Sequence, residues 1–77
     1  MKIEFHQLAY FLAVAQTQNV RKAAALSLVA QSSLSRQIAA LEDEPGVALF
    51  TRKKKHVTLT AAGQEFAFHV RSALEQL

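Results

Sequence analysis

Apolar residues recur along the first part of the chain at helical spacing. Leu8, Phe11, Leu12 and Ala15 fall at i, i+3, i+4 and i+7 within residues 5–17, the stripe of an amphipathic helix laid on a core. Asn19 then offers a side-chain oxygen as N-cap to a second helix over residues 20–27, whose inner side is Val20, Ala23 and Ala24. Its alanines let another helix axis come close. Leu28 and Val29 form a corner, and a third helix is expected over residues 31–44, with Leu34, Ile38 and Leu41 buried at i, i+4 and i+7. Pro45-Gly46 ends it: proline disfavours helical geometry at Glu44, and glycine tolerates the positive φ common after a helix C-terminus.

The period then changes. Leu49-Phe50-Thr51 and Val57-Thr58-Leu59 read as short strands of a β-hairpin whose tip is residues 52–56. The tip contains neither Gly nor Asn, so the sequence does not signal a tight two-residue turn. Thr60 is placed to cap a last helix over residues 61–77, which carries Phe66, Val70, Ala73 or Leu74, and Leu77 on one stripe. So small a domain offers part of that stripe no partner, and no stop signal precedes residue 77. The expectation is an oligomer contact or a chain cut from something longer. The fold class is therefore mainly α, a winged helix-turn-helix with a three-helix core, a β-hairpin wing and a long C-terminal linker helix. Residues 1–60 are read as the winged helix-turn-helix domain, with the helix-turn-helix at about 20–39, and residues 61–77 as a separate last helix.

Composition narrows the picture. In 77 residues, 51% of them hydrophobic, there is room for one modest core and no second domain. Cysteine is absent, so packing must hold the fold without disulfides or thiolate-bound metal, and a reducing, cytoplasmic setting fits. The apolar run at residues 8–15 is far shorter than a membrane span or a complete signal sequence, so a soluble, untargeted chain with no membrane partner is expected. The formal charge of +3 suits a polyanion, and its distribution says more: Arg52, Lys53, Lys54 and Lys55 form one basic run beside His56, while Glu42, Asp43 and Glu44 cluster just upstream.

These groups acquire a chemistry from their placement. A third helix that buries Leu34, Ile38 and Leu41 presents Gln31, Ser32, Ser35 and Arg36 outward. The DNA major groove admits one such helix, and the short side chains of Ser32 and Ser33 would let its first turn approach the duplex. Gln31 can meet a base edge, most readily adenine, and Arg36 can reach guanine or a phosphate. The basic tip would follow the adjacent backbone or minor groove as a wing, with Arg21 and Lys22 holding the backbone across the groove. Residues 42–44 lie at the helix's other end, held off the DNA and unfavourably placed against the helix dipole. Enzyme chemistry finds no support: His6, His56 and His69 lack metal-ligand spacing, consecutive helical acids fan out, and no glycine-rich phosphate loop exists. No metal or cofactor is expected. The rival reading is a helical dimerisation or protein-interaction module that uses the Phe66, Val70, Leu74 and Leu77 face and touches no nucleic acid.

Six stretches together resemble the N-terminal DNA-binding domain of LysR-type transcriptional regulators. They are residues 8–15, Lys22-Ala23-Ala24, residues 29–38, Leu41-Glu42, Gly46-Val47-Ala48-Leu49-Phe50-Thr51-Arg52 and Val57-Thr58-Leu59-Thr60 followed by Ala61-Ala62-Gly63. The resemblance implies a bacterial winged helix-turn-helix that binds two half-sites of a (pseudo)palindromic operator as a homodimer, paired through its last helix. It implies DNA contacts at Gln31, Ser32, Ser33, Ser35, Arg36 and Arg52 with the tip lysines, dimerisation through the last helix, and a small-molecule effector only for a larger domain that this chain lacks. Four places depart from the family pattern. Ala30 stands where Ser or Thr commonly caps the recognition helix, and Ser32 where Pro is frequent. Ser27 stands where Leu is usual, next to Leu28 where a polar residue is common, and Pro45 replaces a usual Leu. The expected remedy at the corner is a repacking in which Leu28 fills the gap.

Overall fold

The computed structural model describes residues 3–53 and 56–76; Lys54, Lys55 and Leu77, among the positions singled out above, lie outside them. Four helices and one hairpin follow in the expected order: α1 (Phe5–Thr17), α2 (Val20–Ser27), α3 (Gln31–Asp43), β1 (Phe50–Lys53), β2 (His56–Leu59) and α4 (Ala61–Glu75). Caps fix several ends. The Asn19 side chain accepts a hydrogen bond from the Lys22 N–H (3.0 Å), and the Thr60 hydroxyl oxygen accepts one from the Gly63 N–H (2.9 Å). Gly46 takes φ +73° just beyond α3, which ends one residue earlier than expected, at Asp43.

Phe11 is the centre of the core. Its ring lies 5.3 Å from that of Phe50 and 5.0 Å, edge-on, from that of Phe66, so one side chain of α1 joins the root of the wing to α4. Val14, Ala23, Ala24, Leu34, Ile38, Leu41, Leu49 and Ala67 complete the buried cluster. The buried line of α1 differs by a residue from the expected stripe: Gln7, Phe11 and Val14 are innermost, while Leu8, Leu12 and Ala15 pack at its margin. Gln7 is tolerated there because its amide is satisfied, accepting from the Glu4 N–H (3.0 Å) and donating to Gln37 Oε1 on α3 (3.1 Å).

The hairpin is longer than its sequence suggested. Phe50 pairs with Leu59, Thr51 with Thr58, Arg52 with Val57 and Lys53 with His56, so Arg52, Lys53 and His56 belong to the ladder and not to the tip. Only residues 54 and 55 separate the paired ends.

One expectation is corrected. Leu28 does not fill the α2–α3 corner: it adopts φ 59° as the C-cap of α2 and stands 91% exposed, because the left-handed turn swings its side chain outward. On α4, the part of the stripe that holds Phe66 and Val70 finds a partner within the domain. Phe66 packs on Phe11, and Val70 is only 6% exposed. With Gly63 and Ala67 also buried, the first turns of α4 pack on the same core as α1 and the hairpin.

Candidate nucleic-acid interface

α3 presents its buried line, Leu34, Ile38 and Leu41, to α1 and α2, which forces the opposite face outward. Gln31, Ser32 and Arg36 are exposed, and Ser33 and Ser35 are half-buried. No side chain caps the start of α3, where Ala30 stands at the N-cap position. Its first-turn N–H groups therefore accompany Gln31, Ser32 and Ser33 at the helix end that carries partial positive charge.

Beside this end lies an open crevice of ≈ 640 Å³, walled by Asn19, Val20 and Arg21 at the start of α2, Gln31 of α3, and Arg52, Lys53, His56 and Val57 of the hairpin. Three segments distant in sequence thus bring Arg21, Arg52 and Lys53 to one opening around Gln31. Among the described residues no carboxylate is found within ion-pairing distance of these cations or of Arg36; His69 and Glu65 approach to 4.0 Å on α4, away from the crevice. The charge of the crevice is therefore left for an external anion, in a concave site that concentrates its field.

The structure does not bring every predicted residue into that opening. Arg36 and Ser32 lie on the outer face of α3, and Lys22 is exposed on α2; none of them lines the crevice. His56 and Asn19 line it and were not singled out as contacts. For His56 the signal was its place at the end of the basic run; for Asn19 it was hidden by its role as a cap.

The hairpin is held to the helical body on both strands. Glu42 Oε2 accepts from the Leu49 N–H (2.8 Å) and the Phe50 N–H (3.2 Å), and the Val57 N–H donates to the Gln18 carbonyl (3.1 Å) in the turn before α2. Reading Glu42 only as part of an acidic cluster missed this: it is a ligand for the root of β1.

Of the residues proposed for dimerisation, Phe66 and Val70 face their own core, Ala73 is exposed and Leu74 half-buried. At 100° per residue, Ala73 and Leu74 continue the side of α4 that holds Phe66 and Val70, past the point where the domain covers it. Phe68, 66% exposed and not foreseen, points to the other side.

Residues 5–64 match the family model described as "Bacterial regulatory helix-turn-helix protein, lysR family". The chain is 47% identical over 75 residues to the transcriptional regulator AlsR of Bacillus subtilis (strain 168), covering 97% of this chain and 25% of AlsR. It is 46% identical over 72 residues to ClcR of Pseudomonas putida, covering 94% of this chain and 24% of ClcR. It thus spans about a quarter of the length of these curated relatives. Its fold is similar to that in a crystal structure of a CbnR DBD–DNA complex, with TM-score 0.89 and 44% identity over 95% of this chain and 84% of that one. A BenM DBD/benA site 1 DNA complex gives TM-score 0.89 and 38% identity over 95% of this chain and 85% of that one.

Proposed function

Because the chain belongs to the LysR family of bacterial regulatory helix-turn-helix proteins, we propose that it binds double-stranded DNA sequence-specifically, as the DNA-reading part of a transcriptional regulator. The observation that carries this reading is the crevice in which unpaired Arg21, Arg52 and Lys53 surround Gln31 at the open end of α3. Its chemistry fits a duplex laid across the α2–α3–hairpin face. α3 enters the major groove with Gln31, Ser32, Ser33, Ser35 and Arg36 toward the bases and nearest phosphates, and the crevice cations hold the flanking backbone. Arg52 and Lys53 act as the wing, with Lys54 and Lys55 assigned the same task by sequence alone. Arg21 and Lys22 grip the backbone on the far side. The DNA present in the CbnR and BenM complexes supports duplex DNA as the partner.

The working unit is a homodimer on a (pseudo)palindromic operator, joined through the end of α4 that holds Ala73 and Leu74, with Leu77 beyond it. Within the described residues no helix is long and apolar enough to cross a membrane, in keeping with a cytoplasmic site of action. The role is binding and not catalysis.

The deciding experiment is fluorescence anisotropy with a duplex selected from a random pool and with unselected duplex. Gln31→Ala and Arg36→Ala are expected to weaken the selected duplex by about 1–3 kcal/mol each while sparing unselected DNA. Arg52→Ala weakens both and lowers the salt slope by about 0.9. Equal losses on both duplexes from Gln31→Ala and Arg36→Ala would sink the recognition-helix assignment, whereas affinity that ignores salt, or no DNA binding at low salt, would return the chain to the protein-interaction reading.

A further inference from the structure

The backbone around Leu49 is gripped from every side. Its N–H and that of Phe50 donate to one carboxylate oxygen of Glu42, at 2.8 Å and 3.2 Å. Its carbonyl accepts the Thr60 N–H at 3.0 Å, the Thr60 hydroxyl donates to the Ala48 carbonyl at 2.7 Å, and Gly63 leaves no room between α4 and the Leu49 carbonyl. β1 begins at Phe50, so the Glu42 carboxylate holds the first rung of the hairpin.

The position of Glu42 on α3 gives this hold its meaning. At 100° per residue Gln31, Ser35 and Glu42 fall on one flank of the helix, within about 40° of each other, and the rise from Gln31 to Glu42 is about 16 Å. One flank therefore carries the residue that lines the crevice at one end and the anchor of the hairpin at the other. Arg52, two residues beyond the anchored Phe50, lines the same crevice as Gln31.

We infer that Glu42 is a positioning residue for DNA binding: its carboxylate sets where Arg52 and Lys53 stand relative to the base-reading end of α3. The inference rests on the duplex-binding reading. A charged acceptor shared by two backbone N–H groups makes stronger bonds than a neutral one. Removing it leaves the N–H of buried Leu49 without its partner, which the strand can recover only by shifting. That shift moves the wing cations while leaving the face of α3 in place. Glu42 touches no DNA in this arrangement; it acts through Arg52 and Lys53.

A double-mutant cycle tests it, supported by residual dipolar couplings of backbone amides in the free protein. In Glu42→Ala the β1 and β2 couplings are expected to reorient relative to α1, α2 and α3, whose own couplings keep one common frame. Binding to selected and unselected duplex weakens alike, by about tenfold, and the salt slope falls by about one to two. Arg52→Ala costs about tenfold in the wild-type background and less than about twofold in Glu42→Ala, because the misplaced guanidinium has little left to lose. Glu42→Gln, which keeps an acceptor oxygen without the charge, shows the same changes at smaller size and carries the test if Glu42→Ala does not fold. Unchanged hairpin couplings, or an Arg52→Ala cost equal in both backgrounds, overturn the inference and leave Glu42 as a stabilising contact alone. A wild-type chain that fails to bind duplex would sink the DNA reading, while the couplings would still decide whether Glu42 orients the hairpin.

Discussion

Gly63→Ala is the most exacting probe of how the wing, α3 and α4 fit together. A Cβ built on Gly63 would overlap the Leu49 carbonyl oxygen far inside van der Waals contact and come within 3.0 Å of the Leu49 carbonyl carbon and of Leu59 Cδ2. Leu59 can swing aside; the Leu49 carbonyl cannot. It is bonded to the Thr60 N–H, and the N–H of the same residue is bonded to Glu42. Relief must come from pushing α4 outward, which strains the Thr60 cap on Gly63 and loosens Phe66 and Ala67 from the core. Overpacking of this kind costs about 1–3 kcal/mol, and each weakened hydrogen bond about 1 kcal/mol more. Alanine's better helix propensity returns about 1 kcal/mol. The net expectation is a loss of about 2–3 kcal/mol, which in a domain of this size lowers Tm by roughly 10–20 °C.

The assay is thermal and urea unfolding followed by far-ultraviolet circular dichroism, with Gly46→Ala as the control. Gly46 has φ +73° and nothing within 4 Å of a built Cβ, so its cost is backbone strain alone, about 1–2 kcal/mol. Gly63→Ala must be the more damaging of the two. A Gly63→Ala protein as stable as wild type, or less affected than Gly46→Ala, would refute the close seating of α4 on Leu49.

Three further outcomes follow from particular residues. Leu28→Asn is expected to stabilise the fold by about 1 kcal/mol in urea titrations, because Leu28 holds a left-handed φ of 59° while burying almost nothing, and asparagine tolerates that conformation better. Ala30→Ser supplies the missing cap of α3 and should add about 1 kcal/mol, read from the same titrations; a decrease would show that the start of α3 is already satisfied. Leu74→Ser is expected to shift sedimentation velocity profiles toward monomer, with unfolding of dilute protein changed by less than about 1 kcal/mol, since Leu74 lies half-buried beyond the covered part of α4.

Local physics was legible in the sequence; contacts between distant segments were not. Leu34, Ile38 and Leu41 bury as their spacing demands, Asn19 and Thr60 cap the helices they precede, and Gly46 takes the positive φ that ends α3. Each of these depends on neighbours within a few residues. Gln7 escaped because its burial depends on an amide of α3 thirty residues away, and polar side chains do not enter an apolar stripe. Arg52, Lys53 and His56 were assigned to a loop because cross-strand pairing, not alternation of exposure, makes them strand. The apolar face of α4 was visible, but its partner Phe11 lies more than fifty residues upstream. Among the site residues, types and approximate places were readable. That Arg21, Gln31, Arg52 and Lys53 share one opening was a matter of tertiary geometry.

The α2–α3 corner shows which level of interaction governs the site. Leu28 in left-handed geometry and the uncapped start at Ala30 together cost the corner about 2 kcal/mol against an Asn or Gly turn followed by a Ser cap. The turn nevertheless closes, with the Val29 N–H bonded to the Ala24 carbonyl (3.1 Å) and the Leu34 N–H to the Ala30 carbonyl (3.0 Å). Ala23, Ala24 and Leu34, all buried, press the two helices together and oppose that cost, since burying a leucine alone contributes about 1.5–3 kcal/mol. Core packing thus sets the angle at which α3 leaves the body, and the corner residues adapt to it. Substitutions at residues 27–30 should therefore change how stable the reader is far more than where Gln31 and Arg36 point.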